Sequence, residues 1–225
     1  MTSQRETHLH EQAVEIPIDA LRLQGDLTLP PNASGLVLFA HGSGSSRHSP
    51  RNRFVARVLN EARLATLLMD LLSAEEERID LQTRHLRFDI ELLARRLEGA
   101  LDWIQTQPAL KTLRVGLFGS STGAGAALRA AAARPDEVAA VVSRGGRPDL
   151  AGPALAAVRA PTLLIVGEND PVVIRLNREA QAALQAETAL TIIPGASHLF
   201  EEEGALEQVA RHATDWFKRH LQTAR

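Results

Sequence analysis

Cysteine is missing from all 225 residues. Its absence excludes a thiol nucleophile, a thiolate zinc site and any disulfide, so serine must carry any covalent chemistry. Tyrosine is missing too, which excludes the Tyr/Lys pair of a short-chain reductase. The Gly-Lys-Ser/Thr that a phosphate-binding P-loop requires is absent. No apolar run approaches the roughly 20 residues of a bilayer-spanning helix, and the polar stretch Met1 to Glu11 has no apolar centre of signal-peptide length. Charge of one sign is in short supply: 25 basic against 27 acidic residues leave a net charge of -2, no footprint for nucleic acid or an anionic membrane. These absences predict a cytoplasmic protein that acts on a small molecule, with no metal, cofactor, nucleic-acid or membrane partner. They leave the oligomeric state open.

A domain of this length hides roughly 70 to 75% of the surface of its unfolded chain and stands without staples. We expect a disordered tail over 1–11 and one domain over 12–225. His8 and His10 lie in that tail without further ligands, so they make no metal site. From Ala13 to Leu29 apolar and polar residues alternate, which predicts an antiparallel hairpin at a sheet edge. Leu36 to Ala40, Leu64 to Leu72, Val138 to Ser143, Thr162 to Val166 and Leu190 to Ile193 read as strands. Helical spacing occupies Asn52 to Ala62, Phe88 to Gln107, Ile174 to Leu184 and Leu206 to Leu221, whereas Ser73 to Leu86 reads as charged and irregular. Repeated strand-helix order predicts an α/β fold, a mostly parallel sheet of about eight strands with helices on both faces and right-handed crossovers.

The chemistry concentrates at Leu113 to Ala133, where an apolar strand runs through Gly119-Ser120-Ser121-Thr122-Gly123 into an alanine-rich helix. This is the pattern of a nucleophile elbow: a sharp turn exposes the Ser121 hydroxyl, and Gly119 and Gly123 keep its neighbours small. The Thr122 N-H, at the helix start, has no intrahelical partner and points to a developing oxyanion. The loop His41-Gly42-Ser43-Gly44 after the first buried strand offers a second donor, the Ser43 N-H, with His41 as a structural ring behind it. A serine hydroxyl needs a base, and the base needs a carboxylate to hold its tautomer. His198, after the last strand, and Asp170, after the strand before it, follow Ser121 in the order that such folds use; Asp149 is the fallback acid. As isolated residues Asp170 reads as a turn-initiating Asp before proline and His198 as a surface histidine; together with Ser121 they read as a triad. Arg47, Arg144 and Arg147 are candidates to receive a substrate carboxylate, against the plainer reading of solvated loop arginines.

On His41-Gly42-Ser43-Gly44, the Ser121 elbow, Gly167-Glu168-Asn169-Asp170 and Gly195-Ala196-Ser197-His198, the chain resembles an α/β-hydrolase of the dienelactone hydrolase family, over about Val14 to Leu221. It is also similar to the hydrolase portion of proteins that carry a phosphoribosyltransferase domain in addition. Dienelactone hydrolases use a cysteine nucleophile where Ser121 stands here, a departure that points to general carboxylesterase chemistry. The resemblance implies a serine hydrolase that cleaves a small ester or lactone through an acyl-enzyme. With no inserted lid domain, the site should be open and suit short substrates. Two alternatives use the same residues: acyl transfer to an acceptor other than water, and a hydrolase-like binding protein without turnover.

Overall fold

In the computed structural model, which describes residues 11–222, the run from Leu36 forms a strand, β3 (Leu36–Ala40), buried at every position. Leu36, Leu38 and Ala40 enter the core on one face of the sheet, and Val37 and Phe39 enter the core on the other. Strand side chains alternate between faces, so a strand covered on both sides needs an unbroken apolar run. The strands β4 (Ala65–Met69), β5 (Val115–Ser120) and β7 (Thr162–Gly167) are buried throughout for the same reason. β6 (Val138–Arg144) and β8 (Thr188–Ile193) continue the parallel set, while β1 (Glu11–Ile18) and β2 (Leu21–Thr28) form the predicted hairpin. The described residues make one eight-stranded sheet, in the order β1-β2-β4-β3-β5-β6-β7-β8, antiparallel only where β2 meets β1 and β4.

Helices α1 (Pro50–Glu61) and α6 (Ala205–Leu221) cover one face of the sheet, and α3 (Ile90–Thr106), α4 (Thr122–Ala133) and α5 (Pro171–Ala183) cover the other. None of the described helices is long and apolar enough to cross a membrane. Between β6 and β7 the chain makes a 3-10 run, Pro148–Ala157, broken at Gly152, and no inserted lid domain.

Two boundaries differ from the sequence reading. Glu11, assigned to the tail, instead opens β1, and its carboxylate takes two bonds from Arg53 at 2.6 and 2.7 Å; His8 and His10 lie outside the described residues. The segment read as irregular after Ser73 is largely a helix, α2 (Ala74–Thr83). Ser73 Oγ accepts from the Glu76 N-H while the Glu76 carboxylate accepts from the Ser73 N-H, a reciprocal cap. Glu75, Glu76 and Glu77 supply its first turn, where the helix dipole favours negative charge. Only Asp80 of this helix is buried, so it has no apolar stripe, which is the signal that periodicity relies on.

Candidate active site

The chain leaves β3 for β4 on one side and later reaches β5 on the other. The loops at the carboxyl ends of β3 and β5 therefore diverge and leave a crevice, the place where open α/β sheets hold ligands. Ser121 and the His41–Ser46 loop both stand there. Ser121 has φ 51 and ψ -123, a conformation that costs a non-glycine residue on the order of 1 to 3 kcal/mol. The neighbouring segments hold it in place: the Ser121 N-H donates to the Arg144 carbonyl at 3.3 Å, and the Ser121 carbonyl accepts from the Arg147 N-H at 3.0 Å. Glycine is required on both sides. A Cβ on Gly119 would lie 2.7 Å from the Ala124 nitrogen, and one on Gly123 would lie 2.5 Å from the His41 carbonyl oxygen. Both obstacles are backbone and cannot swing aside. We expect Gly123→Ala to lower stability by about 2 to 4 kcal/mol, read as a lower urea midpoint; a midpoint equal to wild type would show that the elbow tolerates bulk.

Gly42 approaches the elbow less closely, since its Cβ would fall 3.1 Å from Ser121 Cβ and 3.2 Å from the Ser120 carbonyl oxygen. The Ser43 N-H, expected to face the oxyanion, donates to Thr122 Oγ1 at 2.9 Å. The two candidate oxyanion donors thus belong to adjacent residues, and at rest the Thr122 hydroxyl occupies the Ser43 N-H. Sequence spacing gave no signal of this contact. His41 has the structural role expected: its Nε2 accepts from the Leu71 N-H at 3.1 Å and its Nδ1 sits 2.9 Å from the Gly42 carbonyl, which pins the loop to the end of β4.

Burial pushes the His41 ring below its ordinary value of 6.5, outweighing the opposite pull of the Gly42 carbonyl, Asp70 and Glu77. The sign follows from proton linkage. The unfolded chain takes up this proton as pH falls through about 6.5 while the folded ring stays neutral, so the contribution to stability is complete above that pH and is lost on descent toward the folded value. Below pH 6.5 the melting temperature of wild type should fall more steeply with acid than that of His41→Gln. Parallel curves would remove His41 as the cause.

At the other wall, His198 Nδ1 lies 2.7 Å from Asp170 Oδ2. An ionised carboxylate only accepts, so Nδ1-H donates and Nε2 is left as the basic nitrogen. Asp170 also has the role that the plainer reading gave it, because its Oδ1 caps α5 by accepting from the Val173 N-H at 3.3 Å, with Pro171 in the first turn. One side chain fills both roles. The two loops are tied together by Glu168, whose Oε2 accepts from the Gly195 N-H at 2.7 Å, and by Asn169, whose Nδ2 donates to the Gly195 carbonyl at 2.8 Å. These braces had no signal of their own in the residues. Phe200 anchors the far side of the His198 loop, buried at φ 57. A Cβ on Gly145 would lie 3.7 Å from His198 Cε1, and Gly145 directly follows the residue whose carbonyl holds Ser121. The ring therefore stands beside the elbow, its hydrogen bond among the described residues being the one to Asp170. A nucleophile-base bond often closes only when substrate arrives.

The remaining candidates are separated by their partners. Asp149, the fallback acid, is held by Arg147, whose Nε and Nη2 donate to its two oxygens at 2.8 and 2.7 Å. That bidentate pair engages both residues and keeps Asp149 from serving His198. Arg47 is shared between Asp70 and Asp26 and stiffens the loop after Ser46. Among the described residues Arg144 has no carboxylate partner. A pocket beside the loop is lined by Leu71, Leu72, Leu93 and the Asp80–Arg87 ion pair of 2.5 Å. Sequence reasoning missed this pair because Asp80 belongs to the segment read as irregular and Arg87 directly follows it.

Known proteins share this fold. The model of the dienelactone hydrolase family matches residues 66–224. A dienelactone hydrolase from Anabaena variabilis, solved by crystallography, is 61% identical, with a TM-score of 0.94 over 95% of this chain and 99% of that one. A cold-adapted esterase from an Arctic intertidal metagenomic library is 16% identical over 97% of each chain with a TM-score of 0.75, a likeness of fold alone. A Mycobacterium tuberculosis protein provisionally named a phosphoribosyl transferase is 57% identical over 213 residues, 95% of this chain and 47% of its own length. The chain thus spans about half the length of the curated relatives it matches. With one family matched across most of the sheet and a solved member superposing along nearly the whole chain, the conclusion is that this chain belongs to the dienelactone hydrolase family.

Proposed function

We propose that the protein is a serine hydrolase that cleaves small carboxylic esters or lactones through an acyl-enzyme. Ser121 Oγ attacks the carbonyl carbon as His198 Nε2 takes the hydroxyl proton, and the carbonyl π electrons move to the oxygen. The oxyanion is met by the Thr122 N-H and by the Ser43 N-H, which turns to it from Thr122 Oγ1. As the tetrahedral species collapses, the carbon-oxygen bond to the leaving alcohol breaks and His198 returns the proton to that oxygen. His198 then takes a proton from water, which attacks the acyl carbon; the bond from that carbon to Ser121 Oγ breaks, His198 returns the proton to Oγ, and the acid leaves. Asp170 stabilises the imidazolium throughout. The observation that carries this reading is the His198–Asp170 contact of 2.7 Å on the sheet edge that also holds a strained Ser121.

Family membership supports a hydrolase, and the serine where dienelactone hydrolases use a cysteine favours general carboxylesterase chemistry over turnover of a dienelactone. The transferase activity in the longer relative's name we assign to the part of that protein that this chain does not match. The test is covalent: a fluorophosphonate probe should label wild type on the peptide containing Ser121 and leave Ser121→Ala unlabelled. An unlabelled wild type that also fails to turn over a panel of esters, lactones and amides would overturn the reading in favour of a binding protein.

A further inference from the structure

Arg144 is 8% exposed at the end of β6, beneath the His198 loop. A guanidinium taken this far from water normally faces a carboxylate, because an uncompensated buried charge is costly. Here its polar contact is Nη2 to Asn52 Oδ1 at 3.3 Å, an acceptor already shared with Ser120 Oγ at 3.2 Å. The Phe200 ring centroid lies 6.0 Å from its Cζ, a weak interaction at that range. Among the described residues Nε and Nη1 of Arg144 are buried without a partner, and so is Nε of Arg51. Where a counter-ion would be expected the chain brings a second cation: repulsion from Arg51 adds to burial in pushing Arg144 down to about 10. Among the described residues Arg51 in turn meets the carboxylate of Glu201 alone, at 3.1 Å on the outer, solvated side. Arg51 and Asn52 belong to the first turn of α1, whose N-terminus adds a positive field of its own.

We propose that Arg144, Arg51 and the first turn of α1 form a binding site for a compact oxyanion of the carboxylate or phosphate class, next to the elbow. Three unpartnered guanidinium N-H groups supply the donors, Arg51 the access, since its side chain is 33% exposed. Arg47 and Arg147 are spoken for by their own carboxylates, which leaves Arg144 to separate itself from the other two candidate arginines. The anion is either a free ion or the acidic group of a substrate; only the second alternative rests on the hydrolase reading.

The experiment has two arms. In the first, sodium phosphate and sodium acetate are titrated at constant pH and ionic strength while the melting temperature of wild type, Ser121→Ala and Arg51→Met is followed. A ligand that binds only the folded state raises that temperature saturably; the rise is expected in wild type and Ser121→Ala and should be lost in Arg51→Met. Arg144→Met should lose it also, but a buried position risks misfolding, so the half-exposed Arg51 decides. In the second arm, kcat/KM is measured for a p-nitrophenyl half-ester of a dicarboxylic acid and for a neutral ester of matched length. A fall of tenfold or more in the acidic-to-neutral ratio for Arg51→Met, with phosphate competing, assigns the site to the substrate. Saturable stabilisation with an unmoved ratio assigns it to a free anion. Absence of saturable stabilisation by either salt, together with an unmoved ratio, overturns the proposal. Because Ser121→Ala reports binding without turnover, loss of the hydrolase reading leaves the first arm intact.

Discussion

Ser121→Ala is expected to lower kcat toward a short p-nitrophenyl ester by about 10⁴-fold or more, the scale on which serine-triad enzymes respond to loss of their nucleophile. The substitution removes one oxygen and leaves the surroundings in place. Alanine inherits the same φ of 51 as serine, and the backbone bonds to Arg144 and Arg147 do not involve the side chain, so the melting temperature should stay close to that of wild type. Residual turnover would come from the two oxyanion donors orienting the carbonyl for direct attack by water. Kinetics within about tenfold of wild type, in folded protein, would remove Ser121 from the mechanism.

Asp170→Asn is expected to have the second largest effect, about 10³- to 10⁴-fold on kcat. An amide in place of the carboxylate presents an N-H donor to the ring or forces the other tautomer, and it cannot stabilise the imidazolium. The choice of asparagine matters here because Asp170 has a second task. Its Oδ1 caps α5 through the Val173 N-H, and asparagine caps a helix about as well as aspartate. The cap is therefore kept while the charge is lost, and a fall in turnover without a matching fall in melting temperature isolates the catalytic contribution. Asp170→Ala would lose both and confuse them. Asp149→Asn serves as the control: it weakens the part-exposed Arg147 pair and should leave turnover near the wild-type rate. If the two substitutions changed places, with Asp149→Asn inactive and Asp170→Asn active, the acid would have been misassigned.

The course of the backbone was legible where local chemistry leaves a period or a breaker. Strands buried on both faces announced themselves as unbroken apolar runs, as at Leu36 to Ala40, and the hairpin showed its alternation. The helix α2 did not, because its inward group is the single carboxylate of Asp80 and its outward face carries Ile79 and Leu81; hydrophobic patterning has no grip on a helix held by ion pairs. For the site, residue type and chain order singled out Ser121, Asp170 and His198. They did not show how the loops bearing the last two are joined, since Glu168 and Asn169 act through backbone groups of Gly195 that any sequence would offer.

What the sequence determined alone is the chemical vocabulary: no thiol, hence serine; glycines flanking it, hence a turn too tight for side chains; strand and helix in alternation, hence a parallel sheet with its ligand edge at the strands' carboxyl ends. The sequence ranked Asp149 behind Asp170 and left the arginines unresolved; only the tertiary structure gave each its surroundings. It distinguished Asp170 from Asp149, and Arg144 from Arg47 and Arg147, by giving each a partner or withholding one. The Arg147–Asp149 pair spans two residues, but the Asp170–His198 and Arg47–Asp70 partnerships span 28 and 23 and depend on which strand ends the sheet order makes neighbours, an order set by packing of the whole chain rather than by any residue's own preference.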